Sequence, residues 1–184
     1  SINQSNVDIK KKQKIISFVG KLNSAKGYDI FCHAIIKILN KYPTWKAVVA
    51  GDEPREIINV KHKNLINLGF QNHKKILELF KKTSIAVACS RWEEPFGRTS
   101  LEAASRGCAV IISNRGGLPE TITNGIILRK LNSINLYNAI SKLIENKNDL
   151  IDLQTKSKNN FYLTDKFISN KIDEYRKSLI KYFY

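Results

Sequence analysis

The sequence predicts a doubly wound parallel α/β sheet, on three observations. Apolar runs of four to six residues recur along the chain, and most are separated by segments whose apolar residues repeat at helical spacing. The runs are continuous rather than alternating, which is the pattern of strands buried on both faces. The chain has 184 residues, enough for one domain with a real core and too few for two large ones.

Each element follows in order. Residues 1–13 are polar and run into Lys10, Lys11 and Lys12, so a linker or frayed start is expected there and the domain proper at 14–184. Ile15 to Gly20 reads as the first strand. Ile30, Phe31, Ala34, Ile35, Ile38 and Leu39 then recur at helical spacing, and Tyr42-Pro43 ends that helix. Ala47 to Gly51 is a second strand and Leu65 to Phe70 a third. Ile76, Leu77 and Phe80 mark a short helix begun at Asn72. Ile85 to Cys89 is a fourth strand, Arg98 to Arg106 a helix ended by Gly107, and Ala109 to Ile112 a fifth strand. Gly125 to Leu128 supplies a short sixth. Two or three helices close the chain, the last starting near Thr164 with the stripe Ile168, Ile172, Tyr175 and Leu179, which is assigned to core packing or to docking on a missing domain rather than to a membrane. Strands alternating with helices give a Rossmann-like sheet, in which ligands bind beyond the carboxyl ends of the strands.

Lys and Arg number 31 against 16 Asp and Glu, a formal charge of +15 that invites a nucleic-acid or anionic-membrane reading. The excess is mostly Lys, 24 of the 31, beside 25 Ile and 18 Asn, so a codon bias that coats the surface with solvated Lys competes with it. The charge is also uneven. From Thr83 to Leu128 there is no Lys and no Asp; Arg91, Arg98, Arg106 and Arg115 balance Glu93, Glu94, Glu102 and Glu120. A planar guanidinium fork is not replaceable by Lys, so this stretch is expected to have particular geometric needs. Cys32, Cys89 and Cys108 lie in or beside apolar runs, a reduced, cytosolic pattern rather than a disulfide framework. The three His lack ligand spacing and no metal site is expected. The absence of Met and the start at Ser1 lead us to expect a piece of a longer protein. No run approaches the roughly 20 apolar residues of a spanning helix, and no signal or lipidation motif is present.

Three loops carry chemistry. Gly20-Lys21-Leu22-Asn23-Ser24-Ala25-Lys26-Gly27 leaves the first strand for a helix, and its two Lys can converge on an anion at a helix N-terminus. It is neither a Walker loop nor G-x-G-x-x-G. An ordinary strand-to-helix turn with two solvated Lys explains it equally well. The second loop runs from Ser90 to Glu102. Pro95 and Gly97 shape it, and the backbone N–H groups of Gly97, Arg98 and Thr99 are orphan donors suited to a phosphate. Glu94 and Glu102 can accept hydrogen bonds from sugar or ribose hydroxyls. Otherwise Glu102 pairs with Arg98 or Arg106 one turn away, and Glu94 offsets the helix dipole. The third, Ser113 to Thr121, holds Gly116-Gly117, which permit close backbone approach to a ligand, and Pro119, suited to a first helical turn.

Together, from about Lys14 to the C-terminus, these segments resemble the donor-binding, C-terminal half of retaining glycosyltransferases of family 4, which have the GT-B fold. The most specific part is the E-x7-E motif from Glu94 to Glu102 with Gly-Gly-Leu-Pro-Glu downstream. The resemblance implies that Glu94 contacts the transferred sugar and Glu102 the ribose. Lys26 matches the Lys that binds the donor phosphates, and Lys21 stands where most members have Arg. Backbone from Phe96 through Gly97 and Arg98 to Thr99 would hold the diphosphate beside Gly20, and Gly69-Phe70-Gln71 would seat the base.

The function so implied is the nucleotide-sugar half of a retaining glycosyltransferase, without cofactor or metal. Lys21, Lys26 and the helix N-terminus would stabilise charge on the departing nucleoside diphosphate. The phrase from Phe96 to Cys108 looks like lipopolysaccharide-core mannosyltransferases, so GDP-mannose is the favoured donor and an envelope glycan or glycolipid the acceptor, held by the N-terminal domain. This chain alone is expected to bind donor and transfer nothing. The whole enzyme is expected in the cytoplasm, with peripheral contact to an anionic membrane. A GT-B epimerase or phosphorylase is the alternative. A basic nucleic-acid-binding module is a remote one, which the neutral segment around the cleft argues against.

Overall fold

The structure is a computed structural model and describes residues 6–183. Six parallel strands form one sheet: β1 (Gln13–Val19), β2 (Lys46–Ala50), β3 (Leu65–Asn67), β4 (Thr83–Ala88), β5 (Ala109–Ser113) and β6 (Ile126–Leu128). Their spatial order is β3-β2-β1-β4-β5-β6. The order reverses between β1 and β4, so the loops that leave these two strands open a crevice at the carboxyl edge. The helices are α1 (Tyr28–Lys41), α2 (His73–Lys82), α3 (Arg98–Ser105), α4 (Ser133–Glu145), α5 (Lys147–Asn159) and α6 (Asp165–Phe183). The α/β, Rossmann-like class read from the sequence is the observed one.

The period-two geometry of a strand divides each apolar run between two layers. Ile16, Phe18, Ile85, Val87, Ala109 and Ile111 face α1 and α4, where Phe31, Ile35, Ile38, Leu136 and Ile140 are buried. Ala86, Val110 and Ile112 face the other way, onto Phe80 of α2 and Leu101 and Ala104 of α3. That is why the runs are continuous: both faces of the central strands are covered.

Three boundaries differ from the expectation. β3 stops at Asn67, which leaves Gly69, Phe70 and Gln71 in the loop beyond it. The segment expected to be a linker packs on the domain where it is described: Val7 is buried, a 3-10 turn spans Ile9–Lys11, and the Lys12 ammonium donates to the carbonyl of Phe80. Burial lowers the pKa of Lys12, an ammonium anchored inside rather than solvated. Residues 1–5 lie outside the described residues. The stripe on α6 is not core. Thr164 does cap the helix, its hydroxyl accepting from the N–H of Phe167, but Ile172, Tyr175 and Leu179 are exposed.

Candidate functional site

The β1–α1 loop carries Lys26 to the carboxyl edge because its backbone lies directly on the end of β4. Gly27 has φ +73°, and a Cβ there would fall 1.9 Å from the Cys89 carbonyl oxygen. Asn23 accepts the N–H of Lys26 at 3.0 Å and so sets its direction. Two carboxylates of the crossover between β2 and β3 brace the loop from one side. Glu53 accepts from the Asn23 amide at 3.2 Å, and Glu56 from the N–H of Ser24 at 2.9 Å. Arg55 donates to both oxygens of Glu53 and holds its carboxyl down to about 2.

Arg91 braces the loop from the other side. Its fork grips Asp29 at 2.6 and 2.7 Å and also reaches the Ser24 carbonyl. Hydrogen bonds from Arg91 hold the Asp29 carboxyl below its ordinary value. A depressed carboxylate contributes stability above the ordinary carboxylate range, and this is lost as pH falls through the folded value. Asp29→Asn is therefore expected to lower the melting temperature at pH 7 by about 2–4 °C, as a partly exposed pair worth about 1 kcal/mol would in a domain of this size. Melts at descending pH check the sign: the gap between wild type and variant should close below about pH 4, where an ordinary Asp is protonated.

Beyond β4, Glu94 is fixed by the loop after β5. The N–H of Gly117 donates to the Glu94 carbonyl at 2.6 Å, and Glu93 accepts from the N–H of Gly116 at 2.5 Å and from Arg115 at 3.0 Å. A Cβ on Gly116 would lie 2.3 Å from the Glu94 carbonyl oxygen. The paired glycines do permit close backbone approach, but to the chain's own Glu94 loop.

Lys26 and Glu94, far apart in sequence, meet as an ion pair. They share a cavity of about 290 Å³ with Gly20, Gly97, Arg98 and Thr99. Gly97 precedes α3 with φ +85° and no side chain caps the helix, so the N–H groups of Arg98 and Thr99 have no intrahelical partner. The cavity thus combines a cation, a carboxylate and a helix N-terminus. Cys89, at the end of β4, is fully buried; burial pushes its thiol up to about 12 and keeps it a protonated core residue.

Lys21, Phe70 and Gln71 line a neighbouring cavity of about 260 Å³ that shares Val19 and Gly20 with the first. Lys21 and Lys26 therefore belong to adjoining compartments, and Glu94 already meets the charge of Lys26. Gly69 has φ +61° and its carbonyl accepts from Gly51. Phe70 is 75% exposed and Phe96 38%, aromatic rings open to a ligand.

Glu102 is buried in α3 with its Oε1 held by two groups: Arg98 at 3.4 Å, the helical pairing open in the sequence, and His73 Nε2 at 3.0 Å. Arg106 turns instead to the Ser105 hydroxyl. His73 had no signal in its own neighbourhood. Topology could have found it, because α2 and α3 are adjacent on one face and both begin at the carboxyl edge.

The family described as glycosyl transferases group 1 matches residues 2–161. The chain belongs to that family. Curated relatives of this group 1 domain include spore coat protein SA of Bacillus subtilis, 33% identical over 61% of this chain and 33% of its own length. An uncharacterised glycosyltransferase of Methanocaldococcus jannaschii is 35% identical over 65% of this chain and 33% of its own length. The lipopolysaccharide core biosynthesis mannosyltransferase LpsB of Rhizobium meliloti is 29% identical over 61% and 35%. The group 1 domain thus spans about a third of these relatives.

Among solved structures, the C-terminal domain of the group 1 protein LpcC from Francisella tularensis superposes with a TM-score of 0.69 at 28% identity, covering 85% of this chain and 88% of that one. Anabaena HepE in complex with UDP and glucose superposes at 0.76 with 22% identity, covering 91% and 49%, a likeness of fold.

A larger cavity of about 1020 Å³ lies at the opposite, amino end of the sheet between residues 7–14, the α1–β2 turn and α5, ringed by Lys10, Lys14, Lys147 and Lys158; it contains none of the residues assigned from the sequence. No helix among the described residues is long and apolar enough to cross a membrane.

Proposed function

We propose that this group 1 domain is the donor-binding half of a retaining glycosyltransferase of family 4, transferring a hexose from a nucleotide sugar to a glycan or glycolipid acceptor held by an N-terminal domain. The observation that carries the reading is the cavity shared by Lys26, Glu94 and the uncapped N-terminus of α3. A nucleotide sugar has two negative phosphates beside a polyhydroxylated ring. The helix N-terminus and Lys26 suit the phosphates, and Glu94 suits the ring hydroxyls.

When the bond to the sugar breaks, negative charge grows on the departing diphosphate. Preorganised donors at that point lower the barrier because they need no reorganisation during the reaction. The acceptor hydroxyl attacks from the face that the diphosphate leaves, and the phosphate takes its proton. Glu94 is then a ligand of the sugar and of Lys26, not half of a glycosidase pair. Lys21, Gln71 and Phe70 line the neighbouring compartment, which we assign with Gly69 to the nucleoside end.

The first donor to test is GDP-mannose, on the likeness of Phe96 to Cys108 to lipopolysaccharide-core transferases, a class to which LpsB belongs by name. The surplus Lys outside the site supports action beside an anionic membrane on its cytoplasmic side.

Calorimetric titration with GDP-, UDP- and ADP-sugars tests the assignment. One of the three should bind, and Glu102→Ala should weaken it about tenfold, the effect of about 1.4 kcal/mol. Failure of all three to bind, or equal affinity in the variant, would refute the donor site.

A further inference from the structure

We propose that His73 is a positioning residue that orients the Glu102 carboxylate toward the ribose hydroxyls of the donor. The proposal rests on the donor-site reading above. Glu102 is 4% exposed, and a buried carboxylate requires hydrogen bonds to its charged form. Both of its partners meet the same oxygen: His73 Nε2 and Arg98 reach Oε1, at 3.0 and 3.4 Å. Among the described residues, Oε2 accepts no hydrogen bond and is left for a further donor. A ribose presents a vicinal pair of hydroxyl donors, the chemistry that a single oriented carboxylate oxygen can accept.

His73 controls this geometry more than Arg98 does. Its bond is shorter, and an ionised carboxylate only accepts, so the His73 proton sits on Nε2. Its position is fixed by the start of α2, where the Asn72 side chain accepts the N–H of Lys75 at 3.0 Å. Arg98 is 69% exposed on a long, flexible side chain, and its contact lies at the limit of a hydrogen bond. Without His73 the carboxylate is free to turn both oxygens toward Arg98, and the acceptor held for the ligand is lost. The arrangement acts through Glu102 alone, so its effect should exist only for ligands that carry ribose hydroxyls.

The test is calorimetric titration of the chain with GDP, UDP and ADP and with their 2′,3′-dideoxy counterparts. His73→Ala should raise the Kd of the ribonucleotide that binds wild type about tenfold and leave its dideoxy counterpart within twofold. His73→Gln, which restores an amide donor near the position of Nε2, should return the ribonucleotide Kd to within about threefold of wild type. Added to Glu102→Ala, His73→Ala should change nothing further, because a positioning residue has no effect once the group it positions is gone. Equal losses for ribo- and dideoxynucleotides would show a merely structural role and overturn the proposal. So would a Glu102→Ala chain that binds more weakly beside a His73→Ala chain that does not. Glu102→Ala without effect, or no binding of any of the three nucleotides to wild type, would instead sink the donor-site reading and this proposal with it.

Discussion

Glu94→Gln in the full-length enzyme is expected to lower kcat by about 100-fold or more, the scale of losing one preorganised electrostatic contact at a reacting centre. The fold should tolerate the change. Glu94 sits in a loop held mainly by its backbone carbonyl and by Glu93, and Lys26, 30% exposed, can turn to water when its partner is neutralised. Lys26→Met removes the other half of the pair and should raise the donor KM about tenfold while also lowering kcat. The two losses should not add. Glu94 occupies the Lys26 ammonium; on the proposed reading, a bound diphosphate would place Lys26 between two anions. Removing either partner frees the other from its place, so the double variant should be little worse than Glu94→Gln alone. Steady-state kinetics of the four enzymes checks this, with Lys10→Ala at the far end of the sheet as the unaffected control. A double loss equal to the product of the single losses would show that the pair does not act as a unit.

That pair marks the boundary of what the sequence can disclose. The strands were legible because a parallel sheet covered on both faces requires unbroken apolar runs, and these are short and separated by segments of helical spacing. The helix N-terminus at Arg98 was legible from Pro95 and Gly97. The use of Arg rather than Lys between Thr83 and Leu128 has a geometric reason at Arg91, whose fork grips Asp29 outside the stretch; Arg98 and Arg115 reach Glu102 and Glu93 within it, and Arg106 turns to Ser105.

Contacts across long sequence separation were not legible. Periodicity reports which face a residue turns to the core, not which loop it meets. Lys21 and Lys26 looked like equals in one loop, yet the fold divides them between two compartments. His73 is hidden in Asn72-His73-Lys74-Lys75, a polar helix start like many others. Residues 7–13 read as a linker because their composition is polar, but Val7 is buried, Ile9 lies against Gly107 and the Lys12 ammonium is bonded to the Phe80 carbonyl, none of which composition registers.

Gly116→Ala is expected to cost nearly as much activity as Glu94→Gln, although residue 116 has no side chain to touch a ligand. Its φ is +51°, a left-handed conformation that costs any other L-residue about 1–2 kcal/mol. The larger consequence is steric. The new Cβ would fall 2.3 Å from the Glu94 carbonyl oxygen and 2.6 Å from the Glu94 nitrogen, so backbone must move, and the backbone that moves carries the carboxylate proposed to contact the sugar. A displacement near 1 Å at a reacting centre can cost about 100-fold in rate. Gly107→Ala supplies the comparison. That residue has φ +67°, and the nearest atom to its Cβ is the end of the Ile9 side chain, at the other end of α3. Both variants should therefore lower the melting temperature, at about 2–4 °C per kcal/mol for this size, Gly107→Ala by a few degrees for its backbone conformation and Gly116→Ala by more because backbone must also move. Only Gly116→Ala should also lower kcat. Equal kcat in the two variants would mean that the glycine pair serves the fold alone and that the position of Glu94 does not depend on it.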